Sequence, residues 1–488
     1  MKTKPDEWKV LRRESQVRFA QLTRDRMENA FEELRQQEFS RLDAEEFVYL
    51  DYTGSGLYPE SLLRAHTNYL AKEVLGNPHS LNPTSTVSTH NLNTTRNRIS
   101  QFFEADQNEY CVIFTPNATG ALKLVGESYP FQPNSRLILA ADNHNSVNGI
   151  REFAKTKGVK AEYVPLDSEL QIENIDQFLP HASDSTANLF AYPAQSNFSG
   201  VKHPLSWIKE AQSKGYDVLL DAAAFVPTNK LSLKDYKPDF VCISFYKMFG
   251  FPTGVGALIA RRAAIEKLRR PWFSGGTVRF VSTQNDVHLL TTTSEAFEDG
   301  TLNFLGIPAI INGLDFLDRI GMERINSHVS KLTQLLLGGL QSIKHNNGNS
   351  LVKIYGPSTS RGRGATVAFN LLDTDGREVD YKLVEDRAND GKISIRTGCF
   401  CNPGAAEFAF GYIATQSRNC FDLVSNEFSL EKLSECMKGK PVGALRASLG
   451  IASNQADVQR LIQMLKSFLE FKCPTPEQSL SLTTSCGS

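Results

Sequence analysis

Short β-rich runs alternate with helical stretches between residues 110 and 247, and this alternation is the feature that most limits how the chain can fold. The helical stretches include ATGALKLVGES and VNGIREFAKTKG. A strand, a helix and another strand in succession predict parallel βαβ units, so we expect an α/β fold with a mainly parallel sheet. The strand-like runs are YCVIFTP (110–116), SRLILAADNH (135–144), ANLFAYPAQ (187–195), YDVLLDAAA (216–224) and DFVCISFYK (239–247).

Polar side chains stand at or near the ends of these runs. Ligands of a parallel sheet bind in the crevice at the carboxyl ends of its strands. We therefore expect five polar residues to converge on one edge of the sheet and to form a binding site there. They are Thr115, His144, Gln195, Asp221 and Lys247.

The 488 residues exceed the length at which one core usually divides into domains. After about residue 300, a long helical stretch precedes two apolar runs (VKIYG and ATVAFNLL), a cysteine-containing loop and a last helix, which predicts a smaller α+β domain. The apolar spacing of residues 6–46 predicts amphipathic helices that pack on their own domain or on a second subunit. The predicted parts are a helical arm (1–46), a large domain (47–305), a small domain (306–472) and a disordered tail (473–488).

Charge and cysteine content limit the partners. The 53 Lys and Arg residues nearly balance the 54 Asp and Glu residues, so no net field attracts nucleic acid or an anionic membrane. No apolar run reaches transmembrane length and the N-terminus lacks the apolar core of a signal peptide, so we expect a cytoplasmic protein with small-molecule or protein partners. The eight cysteines are spread too thinly for a disulfide framework and lack zinc spacing, so we expect core or reactive thiols and no metal.

Asp221 and Lys247 bring a carboxylate and an amine to consecutive strand ends. This pair suits pyridoxal phosphate, because the amine can bind the aldehyde while the carboxylate keeps the ring nitrogen protonated. The run TPNATGALKL places Thr119 and Gly120 at a strand-to-helix turn, where free N–H groups can bind a phosphate. Each signal is weak alone, since an aspartate at a strand end is often a helix cap and a lysine is usually solvated. Their order and context together predict the cofactor.

Several motifs of the chain resemble those of the class V aminotransferase family of fold-type I pyridoxal phosphate enzymes. The resemblance covers about residues 45–470, and within the family the chain is most similar to the cysteine desulfurase-like domain of molybdenum cofactor sulfurases. It implies a fold-type I transferase with a large cofactor-binding domain and a smaller α+β domain. The motifs are DVLLDAAAF, AYPAQSNFSGVKHPL, SFYKMFGFPTGVGALIARR, AFEDGTLNFLGI, RTGCFCNPGA and GKPVGALRASLG.

The resemblance implies roles for four residues around the cofactor ring. Lys247 matches the lysine that forms the Schiff base, and Asp221 matches the partner of the pyridinium nitrogen. His144 matches the histidine that stacks on the ring. Asn197 matches the asparagine near the cofactor hydroxyl and the substrate carboxylate.

The phosphate-binding residues are implied in the same way. Ala118 and Thr119 match the phosphate-binding turn, and Ser244 adds a hydroxyl group. Gly276 and Thr277 match a segment that reaches the phosphate of the neighbouring subunit. The resemblance therefore implies a homodimer.

The resemblance also implies the substrate-binding and nucleophilic groups. Arg446 matches the arginine that clamps the substrate carboxylate, a role that suits a planar fork of donors, and Arg396 is expected to help. In an extended loop Cys399 and Cys401 would face one side and Phe400 the other, so geometry alone does not choose between the thiols. The spacing in similar desulfurases chooses Cys401, with Cys399 as a neighbour or a second sulfur site, and nearby cationic groups would favour the thiolate. Two packed, unreactive loop thiols are the alternative.

Three features depart from the pattern of many desulfurases. Asp221 is followed by three alanines, so the glutamine that would contact the cofactor hydroxyl is absent, and Tyr246 replaces the histidine before the lysine. Both features suit the sulfurase branch. The sequence ends at Ser488, whereas full-length eukaryotic sulfurases continue into a domain that binds the molybdenum cofactor, so we expect a separate protein to accept the sulfur.

The predicted function is that of a cysteine desulfurase-like sulfurtransferase, which takes sulfur from L-cysteine or another thiol or thioether amino acid and leaves a persulfide on Cys401. The same scaffold supports carbon–sulfur lyases, epimerases and aminotransferases, which need no cysteine, and these remain the alternative. A binding module without activity would be expected to lack Lys247 or Asp221, and both are present.

Overall fold

The computed structural model describes residues 29–183, 186–424, 429–437 and 440–473. The predicted disordered tail lies outside these residues except for Cys473, and the arm is described from residue 29. The strands are β1 (Val48–Tyr49), β2 (Tyr110–Thr115), β3 (Leu137–Ala140), β4 (Ala161–Val164), β5 (Leu189–Pro193), β6 (Asp217–Asp221), β7 (Phe240–Ser244), β8 (Gly256–Arg261), β9 (Val278–Ser282), β10 (Val287–Leu290), β11 (Val352–Tyr355), β12 (Thr366–Leu371), β13 (Ile393–Ser394), β14 (Arg396–Gly398) and β15 (Ala444–Ser448).

Helices connect and cover these strands. Two short 3-10 helices, Ile175–Phe178 and Ser294–Phe297, add to the α-helices. The α-helices are α1 (29–38), α2 (Arg41–Ala44), α3 (Glu60–Leu70), α4 (Pro83–Phe102), α5 (Ala118–Ser128), α6 (Asn145–Asn148), α7 (Ile150–Thr156), α8 (Trp207–Ser213), α9 (Phe245–Phe249), α10 (Arg262–Ile265), α11 (Ala309–Ile320), α12 (Met322–Ser342), α13 (Tyr381–Asp390), α14 (Pro403–Ala409), α15 (Ala414–Val424), α16 (Leu430–Cys436) and α17 (Gln455–Lys466).

A seven-stranded sheet forms the centre of the molecule, with strand order β2-β8-β7-β6-β5-β3-β4. Strands β3 to β7 are parallel to one another, and β8 alone runs antiparallel to its two neighbours. Residues of β3, β5, β6 and β7 are all buried, as expected for a sheet covered by helices on both faces. The predicted α/β fold with a mainly parallel sheet is confirmed.

A second, four-stranded antiparallel sheet has the order β11-β12-β15-β14. Apolar side chains of α12 and α17 pack against it in a separate hydrophobic core. The runs VKIYG and ATVAFNLL form β11 and β12 of this sheet. The loop between β14 and α14 carries both cysteines of the motif, and β15 carries Arg446.

The described part of the arm packs on its own chain. Phe31 on α1 stacks on His328 of α12, with ring centroids 3.9 Å apart. Arg35 is buried and donates hydrogen bonds to Asp457 (2.6 Å) and to the backbone carbonyl of Ala452 (2.6 Å). A buried guanidinium that is paired in this way fixes the direction of α1.

The expectation of free thiols is wrong for two of the eight cysteines. Cys420 on α15 and Cys436 on α16 form a disulfide, because these two helices pack side by side. Composition could not reveal this single local bond. Among the described helices, none is long and apolar enough to cross a membrane.

Candidate active site

A cavity of about 120 Å³ lies where strands of the large sheet end. Four of the five polar residues that the sequence places at strand ends line it, namely His144, Gln195, Asp221 and Lys247. Thr115 does not line this cavity but a different one, and its hydroxyl group donates a hydrogen bond to the carbonyl of Asn117 (2.8 Å). The predicted convergence therefore holds for four of the five.

Lys247 is the amine of the cavity. It lies on the short helix α9, which directly follows β7. Burial lowers the pKa of Lys247, the Asp221 carboxylate opposes this shift, and Arg446 and Arg396 add to it. A lowered pKa leaves more of the amine neutral and therefore nucleophilic near neutral pH.

Asp221 is the carboxylate that most strongly opposes the lowering of the Lys247 pKa. It is the last residue of β6 and is buried. Its Oδ1 accepts a hydrogen bond from the backbone N–H of Ala223 (3.0 Å), which fixes the orientation of the carboxylate. A carboxylate in this position can accept a proton or a hydrogen bond from a ligand through its other oxygen.

His144 follows β3 and begins α6. Its Nδ1 accepts the backbone N–H of Ser146 (3.1 Å), so the neutral ring carries its proton on Nε2. Burial lowers the pKa of His144, the Asp221 carboxylate opposes this, and Lys247 adds to it. The imidazole is therefore neutral at physiological pH and can stack on an uncharged or cationic ring.

The N-terminus of α5 supplies donors at one end of the cavity. Asn117 caps the helix, and its Oδ1 accepts the Gly120 N–H (2.9 Å). The Ala118 N–H donates to the Ser244 hydroxyl (2.8 Å), and the Thr119 and Ser146 hydroxyls are 2.8 Å apart. Three hydroxyl groups at a helix N-terminus form a suitable cradle for an anion.

The cysteine loop is held in a tight, left-handed conformation. Phe400 and Cys401 have φ values of 54° and 55°, which are uncommon for residues other than glycine. The Asn145 N–H donates to the Cys401 carbonyl (2.7 Å), one residue after His144. A Cβ atom on Gly404 would lie 2.0 Å from the Ala141 carbonyl oxygen, so only glycine fits this close approach. These contacts hold the loop against the segment after β3.

The side chains of two buried asparagines hold the cysteine loop in place by hydrogen bonds. Asn402 caps α14, and its side chain donates to the carbonyl of Asp142 (2.7 Å) and to Oδ1 of Asn197 (2.9 Å). Asn197 in turn donates to the Phe400 carbonyl (2.7 Å). Asn197 lines the cavity, but its amide is engaged by the cysteine loop in addition to the ligand contacts that the resemblance implies. Asn402 was not singled out from the sequence.

The two thiols lie in different environments. Cys401 is exposed, whereas Cys399 is partly buried and its thiol donates to the Val442 carbonyl (3.3 Å). Burial raises the pKa of Cys399 to about 11, and Cys401 adds to the shift. The loop is not extended at Phe400 and Cys401, so the alternation of side chains that an extended loop would give does not apply here.

Both predicted arginines are present beside the cavity and share one partner. Asp51 contacts Arg446 (2.9 Å) and Arg396 (2.6 Å). Burial lowers the pKa of Arg446, and the Asp51 carboxylate opposes this shift. Asp51 was missed in the sequence, although it ends the apolar run FVYLD in the way that Asp221 ends DVLLD.

Gly276 and Thr277 lie apart from this cavity. They form the turn before β9, and the Thr277 hydroxyl donates to the Ser274 carbonyl (2.8 Å). Neither is among the residues that line the cavity in this chain. Their implied role at a neighbouring subunit stays a prediction.

Comparison with known proteins shows similarity to one protein family. The family model described as "Aminotransferase class-V" matches residues 48–461. The molybdenum cofactor sulfurase of Danio rerio is 37% identical over 452 residues, which cover 88% of this chain and 54% of that protein. The molybdenum cofactor sulfurase of Homo sapiens is 37% identical over 454 residues, which cover 89% of this chain and 51% of that protein. The chain spans about half the length of these curated relatives.

Solved structures show the same fold. The apo cysteine desulfurase of Thermococcus onnurineus superposes with a TM-score of 0.73 and 24% identity, and the match covers 90% of this chain and 98% of that one. A cysteine desulfurase of Escherichia coli superposes with a TM-score of 0.69 and 20% identity, with 90% and 98% of the two chains covered. At sequence identities of 24% and 20%, these matches show only that the fold is shared.

Proposed function

The chain belongs to the class V aminotransferase family, and we propose that it is a pyridoxal phosphate-dependent cysteine desulfurase, similar to the sulfurtransferase part of molybdenum cofactor sulfurases. In this proposal L-cysteine and the Cys401 thiol are converted to L-alanine and a persulfide on Cys401. The observation that carries the proposal is an exposed thiol on a rigid loop beside a cavity that is lined by a partly buried lysine and a buried aspartate. The curated relatives support it by their names.

The residues of the cavity fit pyridoxal phosphate. The lowered pKa of Lys247 favours the neutral amine, which suits covalent attachment to the aldehyde. Asp221 accepts the Ala223 N–H through Oδ1, and its other oxygen suits the ring nitrogen. The cradle at α5 suits the phosphate, and the neutral His144 ring suits stacking. When bound, the cofactor withdraws electrons from the amino acid that it captures.

The residues of this chain would then orient the substrate and move its protons. Arg446 and Arg396 present donors that suit the substrate carboxylate. Lys247 presents an amine that lines the cavity and could take a proton from the substrate and return it to another carbon. His144 lines the cavity, and its Nε2–H can donate a hydrogen bond to a bound ligand.

Cys401 performs the sulfur chemistry. Its thiolate attacks the sulfur of L-cysteine, a new sulfur–sulfur bond forms and the carbon–sulfur bond of the substrate breaks. The substrate carbon takes up a proton and leaves as alanine, so no external oxidant or reductant is needed. Because the loop fixes the Cys401 backbone, the persulfide has little reach and we propose that an acceptor protein brings its own thiol to the exposed sulfur.

The products of L-cysteine turnover test the proposed function. We expect the purified protein with pyridoxal phosphate and a thiol reductant to release L-alanine and sulfide in equal amounts. Amino acid analysis and sulfide assay measure the two products. Pyruvate and ammonia in place of alanine would identify a carbon–sulfur lyase, a 2-oxo acid without sulfide an aminotransferase, and D-cysteine an epimerase. Each of these outcomes would overturn the proposal.

We also propose that the protein is a homodimer. The β9–β10 hairpin exposes Phe280 (58%) and Leu289 (53%), which are paired across the two strands and therefore lie on one face. An isolated two-stranded hairpin with an exposed apolar face is usually covered by a partner. Gly276 and Thr277 immediately precede this hairpin. A second copy of the chain that packs on the hairpin would therefore place its cavity close to Gly276 and Thr277 of the first copy.

Charged substitution on the hairpin tests the dimer. We expect Leu289→Lys to shift the mass in solution from dimer to monomer at micromolar concentration, because it buries an unpaired charge in the proposed interface. Multi-angle light scattering measures the mass. Leu383→Lys on α13, where leucine is 47% exposed, is the matched control and should leave the dimer intact. A monomeric wild-type protein would contradict the proposal.

A further inference from the structure

Asp51 holds the two arginines of the candidate site in one ionic cluster. Its Oδ1 accepts a hydrogen bond from Nη2 of Arg446 (2.9 Å). Its Oδ2 accepts from Nη2 (2.6 Å) and Nε (2.9 Å) of Arg396. One carboxylate thus uses both of its oxygens on two different guanidinium groups.

The strand register explains why a carboxylate is needed between them. Arg396 on β14 and Arg446 on β15 are directly paired across the antiparallel strands. Like charges in such a pair repel each other. Asp51 forms a bridge with Ser448, two residues after Arg446, and its carboxylate thereby lies between the two guanidinium groups. A Cβ atom on Gly54 would lie 2.5 Å from Asp51 Oδ2 and 2.7 Å from Arg396 Nη2, so the backbone also packs tightly against the pair.

The cluster adjoins the candidate site through Asn197, which lines the cavity, and it keeps one unused donor. The Arg446 side chain is 3% exposed, against 12% for Asp51 and 51% for Arg396. Arg446 also donates to the Asn197 carbonyl (3.0 Å), and its guanidinium lies 4.7 Å from the centroid of the Phe400 ring. Within the described residues, its Nε is buried without a hydrogen-bond partner. A buried donor of this kind calls for an acceptor from a ligand.

The net charge of the cluster limits how many negative charges a bound ligand can carry. Two arginines and one aspartate leave a single positive charge in the cluster. One substrate carboxylate neutralises it. A second anionic group would meet the Asp51 carboxylate at short range in a partly buried site, where repulsion between like charges is poorly screened.

We propose that Asp51 determines substrate specificity by filling one of the two carboxylate positions that Arg396 and Arg446 would otherwise offer. The site therefore accepts amino acids with one carboxylate and a neutral side chain, and rejects amino acids whose side chain carries a second negative charge. This inference rests on the proposed function only in taking an amino acid as the substrate. Asp51 acts through the arginines and is a positioning residue.

Equilibrium binding of two non-sulfur amino acids tests the inference without turnover of cysteine. The holoenzyme is titrated with L-alanine and with L-aspartate, and the change in cofactor absorbance reports binding. We expect wild type to prefer L-alanine by about tenfold or more. Asp51→Asn should reduce this preference by about tenfold or reverse it, by tightening L-aspartate binding. Asp51→Glu should keep the preference for L-alanine.

Two further variants separate specificity from a purely structural role. Asp51→Asn combined with Arg396→Gln again leaves one positive charge, so the preference for L-alanine should return. Asp43→Asn, which alters an exposed acid that pairs with Arg35 away from the site, should change neither affinity. An unchanged alanine-to-aspartate ratio in Asp51→Asn, or no return of the preference in the double variant, would overturn the inference. If wild type binds neither amino acid, the proposed function itself fails and Asp51 has no substrate to select.

Discussion

Replacement of Lys247 by alanine is expected to abolish turnover of L-cysteine and covalent retention of the cofactor. Lys247 is the partly buried amine that lines the cavity, and Asp221 is the buried carboxylate that lines it with Lys247. No other lysine lines this cavity among the described residues, so no neighbouring amine can take over. We expect a loss on the order of 10³-fold or more, because removal of a covalent catalytic group usually costs that much.

Two measurements check this result. The visible absorbance of the purified protein reports the covalent link to Lys247, and alanine release reports activity. Lys202→Ala is the matched control, since burial also lowers the pKa of Lys202 but its side chain does not line the cavity. The control should keep both the absorbance band and the activity. A Lys247→Ala protein that retains the band after gel filtration would place the attachment site elsewhere.

The pKa of Lys247 adds a pH dependence to this prediction. Burial lowers this pKa, with a further contribution from Arg446 and Arg396, so the neutral amine dominates down to a lower pH than for an exposed lysine. Attachment of added cofactor to the apoprotein requires the neutral amine. Its rate should therefore fall as pH drops through the lowered pKa, while the Lys202→Ala control should follow the same curve as wild type.

Local sequence patterns predicted the elements that depend on local interactions. Helix α5 has the same bounds as the segment ATGALKLVGES, because Asn117 caps it and its apolar positions repeat with helical spacing. The five strand-like runs each contain one strand of the large sheet, since such buried strands are continuous apolar runs. The ends of these strands then placed Asp221 and His144 correctly at the cavity.

These local patterns could not predict contacts between residues that are far apart in the sequence. Strand β8 lies within a motif used for the resemblance, yet its antiparallel insertion between β2 and β7 depends on pairing with a strand far away in the sequence. Asp51 is 345 positions from Arg396, so only the fold shows that it pairs with both arginines. The turn of the cysteine loop was also missed, because left-handed φ values at Phe400 and Cys401 come from contacts with Asn145 and Asn197.

The second large effect is expected from substitution of Cys401, whereas substitution of Cys399 should have a small effect. We expect Cys401→Ala to lose alanine and sulfide production by on the order of 10³-fold, because no other exposed thiol is attached to this loop. The variant should keep the cofactor absorbance and the binding of L-alanine, since the cavity residues are untouched. Cys399→Ala should retain most of the activity.

Chemical labelling tests the same assignment independently of turnover. At pH 8 iodoacetamide should modify Cys401 first, because it is exposed, whereas burial raises the pKa of Cys399 to about 11 and leaves little thiolate there. Peptide mass spectrometry locates the label, and modification of Cys401 should remove activity in step with labelling. After L-cysteine is added, the persulfide should also be found on Cys401. Full activity in both cysteine variants would mean that no persulfide forms on this loop, and the chain would then be a lyase or another enzyme of the class V family.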